Sequence, residues 1–298
     1  MAQYVDAEAS RAPRLARFAD FAALGKPRLS VMVIFTTAIG VWLAPAPPLL
    51  ATTLLFLLAT SCLVAAANTF NCWIERDSDG LMHRTCRRPL PAGRLEPRAA
   101  LYYGIVLSIA SLTAIGLTSN GLTTALGALA LAVYVLVYTP MKRVTPWAVV
   151  VGAVPGALPP LMGWTAASGE VSIPGLFLFG VLFLWQLPHF IAISLYLRDD
   201  FARAGIRALP VAIGRRATRP YLIASLSALV LFSLAALPLG VAGVGYTVVA
   251  AVIGVVWLVR ACTGDDARAA GDGWARRMFG LSLLYLPLLV SALVLDAF

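Results

Sequence analysis

Three oxygen-bearing side chains recur at intervals of four residues where a long apolar stretch ends. They are Asn71, Glu75 and Asp79, and Asp77 lies among them. On a helix, which turns by ~100° per residue, the three would lie on one face about 6 Å apart, whereas Asp77 would point away. Mg²⁺ prefers oxygen ligands and binds through one or two carboxylates, completing its coordination with phosphate oxygens and water. The spacing therefore predicts a magnesium site, with an ordinary charged loop as the simpler alternative.

Arginines follow these acids closely along the chain. Arg84, Arg87 and Arg88 all lie within nine residues of Asp79. The planar guanidinium group binds phosphate oxygens through two parallel hydrogen bonds, so it complements a metal that binds the same phosphate. Together, the acids and the arginines favour a diphosphate as the substrate.

A second group of polar residues lies in and after the apolar run from Val171 to Leu197. His189 lies inside this run, where an ionisable side chain is expected to face the interior of a helix bundle and to have a function. A buried histidine bonded to a backbone carbonyl is the alternative. On a continuous helix, Tyr196 and Asp200, seven and eleven residues later, would share its face. We therefore predict that these three side chains form one polar stripe.

Most of the remaining chain consists of long apolar runs that must hold these groups in place. Of the 298 residues, 60% are hydrophobic and only 12% are charged, whereas soluble domains average about 25% charged residues. A helix needs about 20 apolar residues to cross a bilayer. Three of the charge-free runs are about twice that length and contain turn-forming residues at 45–48, 119–121 and 238–240. The sequence therefore predicts an all-α integral membrane protein with a bundle of nine transmembrane helices.

The 23 basic residues all fall in alternate segments: the N-terminal segment and the loops after the second, fourth, sixth and eighth predicted helices. Because Lys and Arg are retained in the cytoplasm during insertion, this pattern places the N-terminus and both polar groups inside and the C-terminus outside. Anionic lipid accounts for the net charge of +9, so we expect contact with the lipid bilayer and no binding of nucleic acid. Residues 1–27 are predicted to be a cytoplasmic segment with an interfacial helix, and residues 28–298 a single transmembrane domain.

Several blocks of the sequence resemble the intramembrane aromatic prenyltransferase superfamily of the UbiA type. The pattern of Asn71, Glu75 and Asp79 resembles its first acidic motif, with Glu75 where many members have Asp. Within the superfamily the chain looks like the branch that acts on haem, and the blocks that carry this likeness are 84–90, 138–143, 156–164, 185–190 and 200–211. These blocks follow one another in the expected order over nearly the whole chain.

The resemblance implies a helix bundle around a central cavity in a bacterial plasma membrane. The reaction it implies is transfer of the farnesyl group of farnesyl diphosphate to the 2-vinyl group of protohaem IX, which gives haem O for terminal oxidases. Mg²⁺ would be the cofactor, and a haem A synthase or an oxidase-assembly protein would be a further partner. The implied site residues are the catalytic metal ligands Asn71, Glu75, Asp79 and Asp200, the further metal ligand Asp199, the diphosphate- or propionate-binding Arg84, Arg88, Lys142, Arg143 and Arg198, and His189, which would face the haem as an axial ligand or as a packing residue.

Two other functions fit parts of the same pattern. A sister prenyltransferase acting on a quinone or another tetrapyrrole precursor would need the same metal and diphosphate site, and the segment from Trp185 to His189 distinguishes the haem branch from it. A transporter would also carry polar residues inside the membrane. Against a transporter, the acids lie at one mouth of the predicted bundle, and the last three predicted helices carry almost no polar groups.

Overall fold

The computed structural model describes residues 14–46, 48–263 and 268–296, and within these ranges the regular secondary structure is entirely helical. The side chains of residues 14–17 and 28 lie outside this description. The helices described at both ends are α1 (Arg14–Leu24), α2 (Pro27–Trp42), α3 (Leu50–Asp79), α4 (Pro97–Thr118), α5 (Gly121–Met141), α6 (Ala148–Ser168), α7 (Ile173–Tyr196), α8 (Arg198–Arg203), α9 (Leu209–Ala212), α10 (Arg215–Leu234), α11 (Val244–Cys262) and α12 (Asp272–Asp296).

Eight of the described helices are long and apolar enough to cross a membrane, namely α3 to α7 and α10 to α12. The helix α2 has only 16 residues, fewer than the roughly 20 that a straight span needs. A ninth span exists only if residues Phe18–Leu24 and Leu29–Trp42, which meet at an angle of 56°, count as one broken helix. The all-α membrane class is therefore confirmed, while the ninth span and the placement of both termini stay predictions, as does the boundary between residues 1–27 and the rest.

The predicted turn at residues 119–121 divides α4 from α5, and the structure shows why the chain reverses there. Asn120 adopts an extended backbone, and its side-chain Oδ1 accepts a hydrogen bond from the Thr123 amide at 2.9 Å. Such a cap satisfies one of the free N–H groups at the start of a helix. The Asn120 side chain also donates to the backbone carbonyl of Thr165 at 2.7 Å, which fixes the turn against the end of α6.

The centre of the bundle is formed by α6 and α7. The helix α6 packs against α2, α5 and α7, and α7 in turn packs against α10 and α12. The backbones of α2 and α6 touch, because a Cβ atom on Gly163 would lie 2.0 Å from the Thr37 carbonyl oxygen and one on Gly40 would lie 2.0 Å from that of Pro160. Small residues permit this close approach between membrane helices. The contact joins the first half of the chain to the second.

Candidate functional site

The functional side chains predicted on α3 are buried at the end of that helix. The helix continues to Asp79, so Asn71, Glu75 and Asp79 do share one face, and only 1%, 7% and 1% of their surfaces are exposed. Asn71 Nδ2 donates to Glu75 Oε2 at 2.9 Å. The intervening Asp77 is exposed, as its position on the helix predicts. We call this set of three buried residues the acidic face of α3.

Each member of the acidic face is paired with a cation from a different part of the chain. Lys26 Nζ lies 2.7 Å from Asn71 Oδ1. Lys142 Nζ lies 2.8 Å from Glu75 Oε1, and Arg88 Nη1 lies 2.7 Å from Asp79 Oδ2. The three contacts therefore bring the start of α2, the end of α5 and the loop after α3 together around the acidic face. Lys142 and Arg88 were predicted phosphate ligands, whereas Lys26 was not predicted.

The bend between α1 and α2 sets the position of Lys26. Its backbone lies in the left-handed region, with φ of 51°, and Pro27 begins the next helix. Pro suits the first turn of a helix because its fixed φ matches and its missing N–H would be unpaired there anyway. The bend is fixed by Asn68, whose side chain donates to the Gly25 carbonyl at 3.3 Å. The only signal for Lys26 in the sequence was its position before Pro27.

The residues of the acidic face fit a magnesium ion that is shared with a phosphate. Asp79 Oδ1 is buried and has no hydrogen-bond partner among the described residues, so one carboxylate oxygen is available for a ligand. Each of the three side chains can offer an oxygen atom as a metal ligand, and Mg²⁺ prefers oxygen ligands. In the described ranges, no group of three or more His, Cys, Asp or Glu side chains could hold a metal by itself. Phosphate oxygens and water would therefore have to complete the coordination.

A widened turn of α5 carries further contacts to the acidic face. Residues Val133–Tyr138 form a π-helical segment, which places Tyr134 next to Tyr138 with ring centroids 5.4 Å apart. Thr139 Oγ1 accepts a hydrogen bond from Asn71 at 3.3 Å. Lys142 Nζ lies 4.5 Å from the centre of the Tyr138 ring, a cation–π distance. Burial alone would lower the pKa of Lys142, but the neighbouring Tyr138 and Glu75 raise it above its ordinary value, which favours the charged ammonium group.

Arg84 and Arg143 lie at the exposed edge of this site. Arg143 Nη2 donates to Ser78 Oγ at 3.0 Å, and Arg84 is exposed. Partial desolvation and the neighbouring Arg88 lower the pKa of Arg84, whereas Asp79, Tyr196 and Asp200 act in the opposite direction. Asp79 of the acidic face and Asp200 of the second loop therefore both act electrostatically on Arg84.

The second loop differs from the prediction of one continuous helix. The helix α7 ends at Tyr196, Leu197 leaves helical geometry, and α8 begins at Arg198. The helix that was expected to be continuous is therefore interrupted at Leu197, and the shared face of His189 and Asp200 stays a prediction. Tyr196 does lie near His189, since both rings contact Phe279, at 5.8 and 5.1 Å.

The acids of the second loop form local ion pairs. Asp200 is paired with Arg203, and Asp199 is exposed and lies 3.4 Å from Arg198. Arg198 is held by the Pro210 carbonyl, to which its Nε donates at 3.0 Å. Among the described residues, Asp199, Asp200 and Arg198 make their hydrogen bonds and ion pairs with groups outside the acidic face. Their predicted metal and phosphate roles stay predictions.

His189 lies on the face of α7 that packs against α12. Its Nδ1 is 2.7 Å from Ser282 Oγ, and its ring stacks on Trp185 with centroids 4.6 Å apart. The side chain is half-buried, and its partner is a hydroxyl group rather than the backbone carbonyl of the alternative interpretation. No local pattern singles out Ser282, which is a serine in an apolar helix.

Comparison with known proteins identifies the family. The model of the UbiA prenyltransferase family matches residues 33–283. The chain belongs to the UbiA prenyltransferase family. It is 51% identical to a protoheme IX farnesyltransferase of Anaeromyxobacter sp. (strain Fw109-5), over 93% of each chain, and 45% identical to a protoheme IX farnesyltransferase of Myxococcus xanthus (strain DK1622), over 98% of each chain. The resemblance found in the sequence is thus confirmed.

Solved structures show the same UbiA fold. The chain is similar to a digeranylgeranylglyceryl phosphate synthase, with a TM-score of 0.79 and 16% identity, over 95% of this chain and 99% of that one. It is also similar to a UbiA homologue from Archaeoglobus fulgidus bound to DMAPP and Mg²⁺, with a TM-score of 0.68 and 17% identity, over 92% and 99% of the two chains. At these identities the likeness concerns the fold alone. Membership of this enzyme family removes the transporter alternative.

Proposed function

We propose that this UbiA family member transfers the farnesyl group of farnesyl diphosphate to the 2-vinyl group of protohaem IX, giving haem O. The observation that carries the proposal is its near full-length likeness, at 51% identity, to a relative named protoheme IX farnesyltransferase. The buried acidic face with its three cations supports the diphosphate half of the reaction. The paired His189 on α7 supports the haem half.

The acidic face would hold the diphosphate through a shared Mg²⁺. Asp79 Oδ1 has no partner among the described residues and is the first ligand that we assign, with Glu75 and Asn71 as the others. When bound, the metal would neutralise charge on the departing diphosphate as a Lewis acid and would orient it. Arg88 and Lys142 carry positive charge within 3 Å of the same carboxylates and would donate to phosphate oxygens.

The reaction balances with water as a third reactant. The bond between C1 of the farnesyl group and oxygen breaks, and its electron pair leaves with the diphosphate. The terminal carbon of the vinyl group bonds to C1, and water supplies hydroxide to the neighbouring carbon while its proton is released. Because early water would destroy the allylic cation, the apolar surroundings formed by Trp185, Phe190 and Phe279 around His189 would delay its access.

The two substrates carry two kinds of anion, the diphosphate and the haem propionates, and the basic residues at the exposed edge are the candidates to bind them. Arg84 is exposed and is affected by the charges of both Asp79 and Asp200, so we assign it to the diphosphate or to a haem propionate. Arg143 and Arg198 remain candidates for the same groups, and Asp199 and Asp200 for the metal. The site would face the cytoplasm of a bacterium, and a haem A synthase or an oxidase-assembly protein would receive the product.

The proposal is tested by incubating the purified full-length protein with protohaem, farnesyl diphosphate and Mg²⁺, and by analysing the extracted haems by mass spectrometry. EDTA serves as the metal control. We expect a haem O mass in the magnesium sample and none with EDTA. If the protein binds farnesyl diphosphate in the presence of Mg²⁺ but makes no haem O, the acceptor is wrong and a quinone or another tetrapyrrole takes its place.

A further inference from the structure

Ser282 on α12 stands at the centre of three contacts that hold His189. Its Oγ lies 2.7 Å from His189 Nδ1 and 2.5 Å from the Phe279 carbonyl oxygen. Its own carbonyl accepts a hydrogen bond from Trp185 Nε1 at 2.9 Å. The serine is completely buried, so water does not compete for these contacts.

These distances determine where the protons lie. A carbonyl oxygen can only accept, so the short contact between Ser282 Oγ and the Phe279 carbonyl requires the single hydroxyl proton of the serine. Without that proton, two oxygen atoms would face each other at 2.5 Å with only lone pairs between them. The hydrogen bond to His189 must then use a proton on the histidine, so that Nδ1–H donates to Ser282 Oγ. In the neutral imidazole, Nε2 carries no proton and presents a lone pair.

The orientation of the imidazole is fixed as well as its tautomer. Trp185 stacks on the ring with an angle of 24° between the planes, and the hydrogen bond from Trp185 to Ser282 ties that stacking partner to the same serine. Phe279 lies 5.1 Å away on α12. In the part of the chain that the structure describes, no group is hydrogen-bonded to His189 Nε2, and the side chain is only half-buried. The lone pair is therefore left for a ligand.

We propose that Ser282 is a positioning residue, which holds His189 in the Nδ1–H tautomer and so presents the Nε2 lone pair to the iron of the haem substrate. This inference rests on the proposed function, because it needs haem to bind beside α7. Neutral imidazole suits iron, and a hydrogen bond from the second ring nitrogen of a histidine orients the ring and increases its basicity. Ser282 would then affect haem binding without contacting the haem itself.

The test is haem binding by purified full-length variants, followed by optical titration and by the iron–histidine stretching band in the resonance Raman spectrum of the ferrous complex. His189→Ala should remove the band. Ser282→Ala should weaken haem binding about 10- to 100-fold and should shift or broaden the band, because the outer partner of the ligand is lost. Ser282→Thr keeps the hydroxyl group and should restore both. Ser291→Ala, at an exposed position of the same helix, is the matched control.

The results distinguish a failure of this inference from a failure of the proposed function. An unchanged affinity and band in Ser282→Ala, beside a lost band in His189→Ala, would overturn the role of Ser282. A wild-type complex without an iron–histidine band would overturn the role of His189 as a ligand, even if haem O is formed. Failure of the wild-type protein to bind haem or to make haem O would instead refute the proposed function. Thermal unfolding of each variant verifies that the protein is folded.

Discussion

The Asp79 side chain offers the sharpest perturbation of the proposed metal site. It is 1% exposed, with Oδ2 held by Arg88 at 2.7 Å and Oδ1 free of partners among the described residues. Asp79→Asn keeps the shape but removes the charge that a metal needs. We expect the rate of haem O formation at saturating Mg²⁺ to fall by about 10²–10³-fold, because removing one preorganised electrostatic group typically costs ~2.7–4 kcal/mol in the transition state.

Stability should change much less than activity in this variant. The substitution leaves Arg88 without its carboxylate, and a fully buried pair broken in this way loses about 3–5 kcal/mol. The Arg88 side chain is 27% exposed, so water compensates for part of the loss, and we expect about 1–2 kcal/mol. Thermal unfolding in detergent measures this effect separately, and the rate is then normalised to folded protein.

Asp77→Asn provides the matched control for the same assay. Asp77 lies two residues away, its side chain is 83% exposed, and its nearest cation, Arg76, is 3.7 Å distant. We expect its rate to stay within about twofold of the wild-type rate, since exposed pairs contribute little. The assignment of the acidic face is refuted if Asp79→Asn retains more than about a third of the wild-type activity, or if both variants lose activity equally.

Three further substitutions probe the metal site and the helix packing. Lys142→Met should increase the affinity for Mn²⁺ alone about tenfold, measured by electron paramagnetic resonance of free Mn²⁺, because the ammonium group 2.8 Å from Glu75 repels a cation at that carboxylate. Gly163→Ala should destabilise the protein by about 1–3 kcal/mol in thermal unfolding, since its Cβ would lie 2.0 Å from a backbone carbonyl of α2. The control is Gly280→Ala in α12, which has open space around it and should stabilise the protein slightly, because Ala favours a helix more than Gly does. Asp296→Ala should cost ~1 kcal/mol by the same measurement, because its carboxylate accepts from two backbone N–H groups at the start of α11.

Local periodicity was enough to predict the acidic face and most of the fold. A spacing of four residues places Asn71, Glu75 and Asp79 on one side of any helix, and the apolar runs divide into spans where turn residues occur. The break at Leu197 is different, since leucine favours helix and neither Gly nor Pro adjoins it. The helix ends next to Arg198, which donates to the carbonyl of Pro210, 12 residues further along the chain. A contact over this distance cannot be predicted from the local sequence pattern.

The partners of the acidic face could not be predicted, for a related reason. Lys26 and Thr139 reach Asn71 across 45 and 68 residues of sequence, so only the packing of α2 and α5 against α3 brings them there. The π-helical turn that precedes Thr139 consists of Val, Leu and Tyr, and such a sequence is equally compatible with a regular helix. Ser282 illustrates the same limit, because a serine in an apolar helix usually bonds only to its own backbone.

The three cation contacts also explain how buried acids persist in the free protein. Two carboxylates taken out of water are stable only if they are paired, and Lys142 and Arg88 provide that pairing at 2.8 and 2.7 Å. A diphosphate brings negative charge to the same place, and with a divalent metal the added charge is small. We therefore expect the lysine and the arginine to exchange carboxylate oxygens for phosphate oxygens when substrate binds, while Glu75 and Asp79 would hold the metal. The site would keep its charges balanced before and after substrate binding, which would explain why the face proposed to bind a metal is surrounded by the chain's own cations.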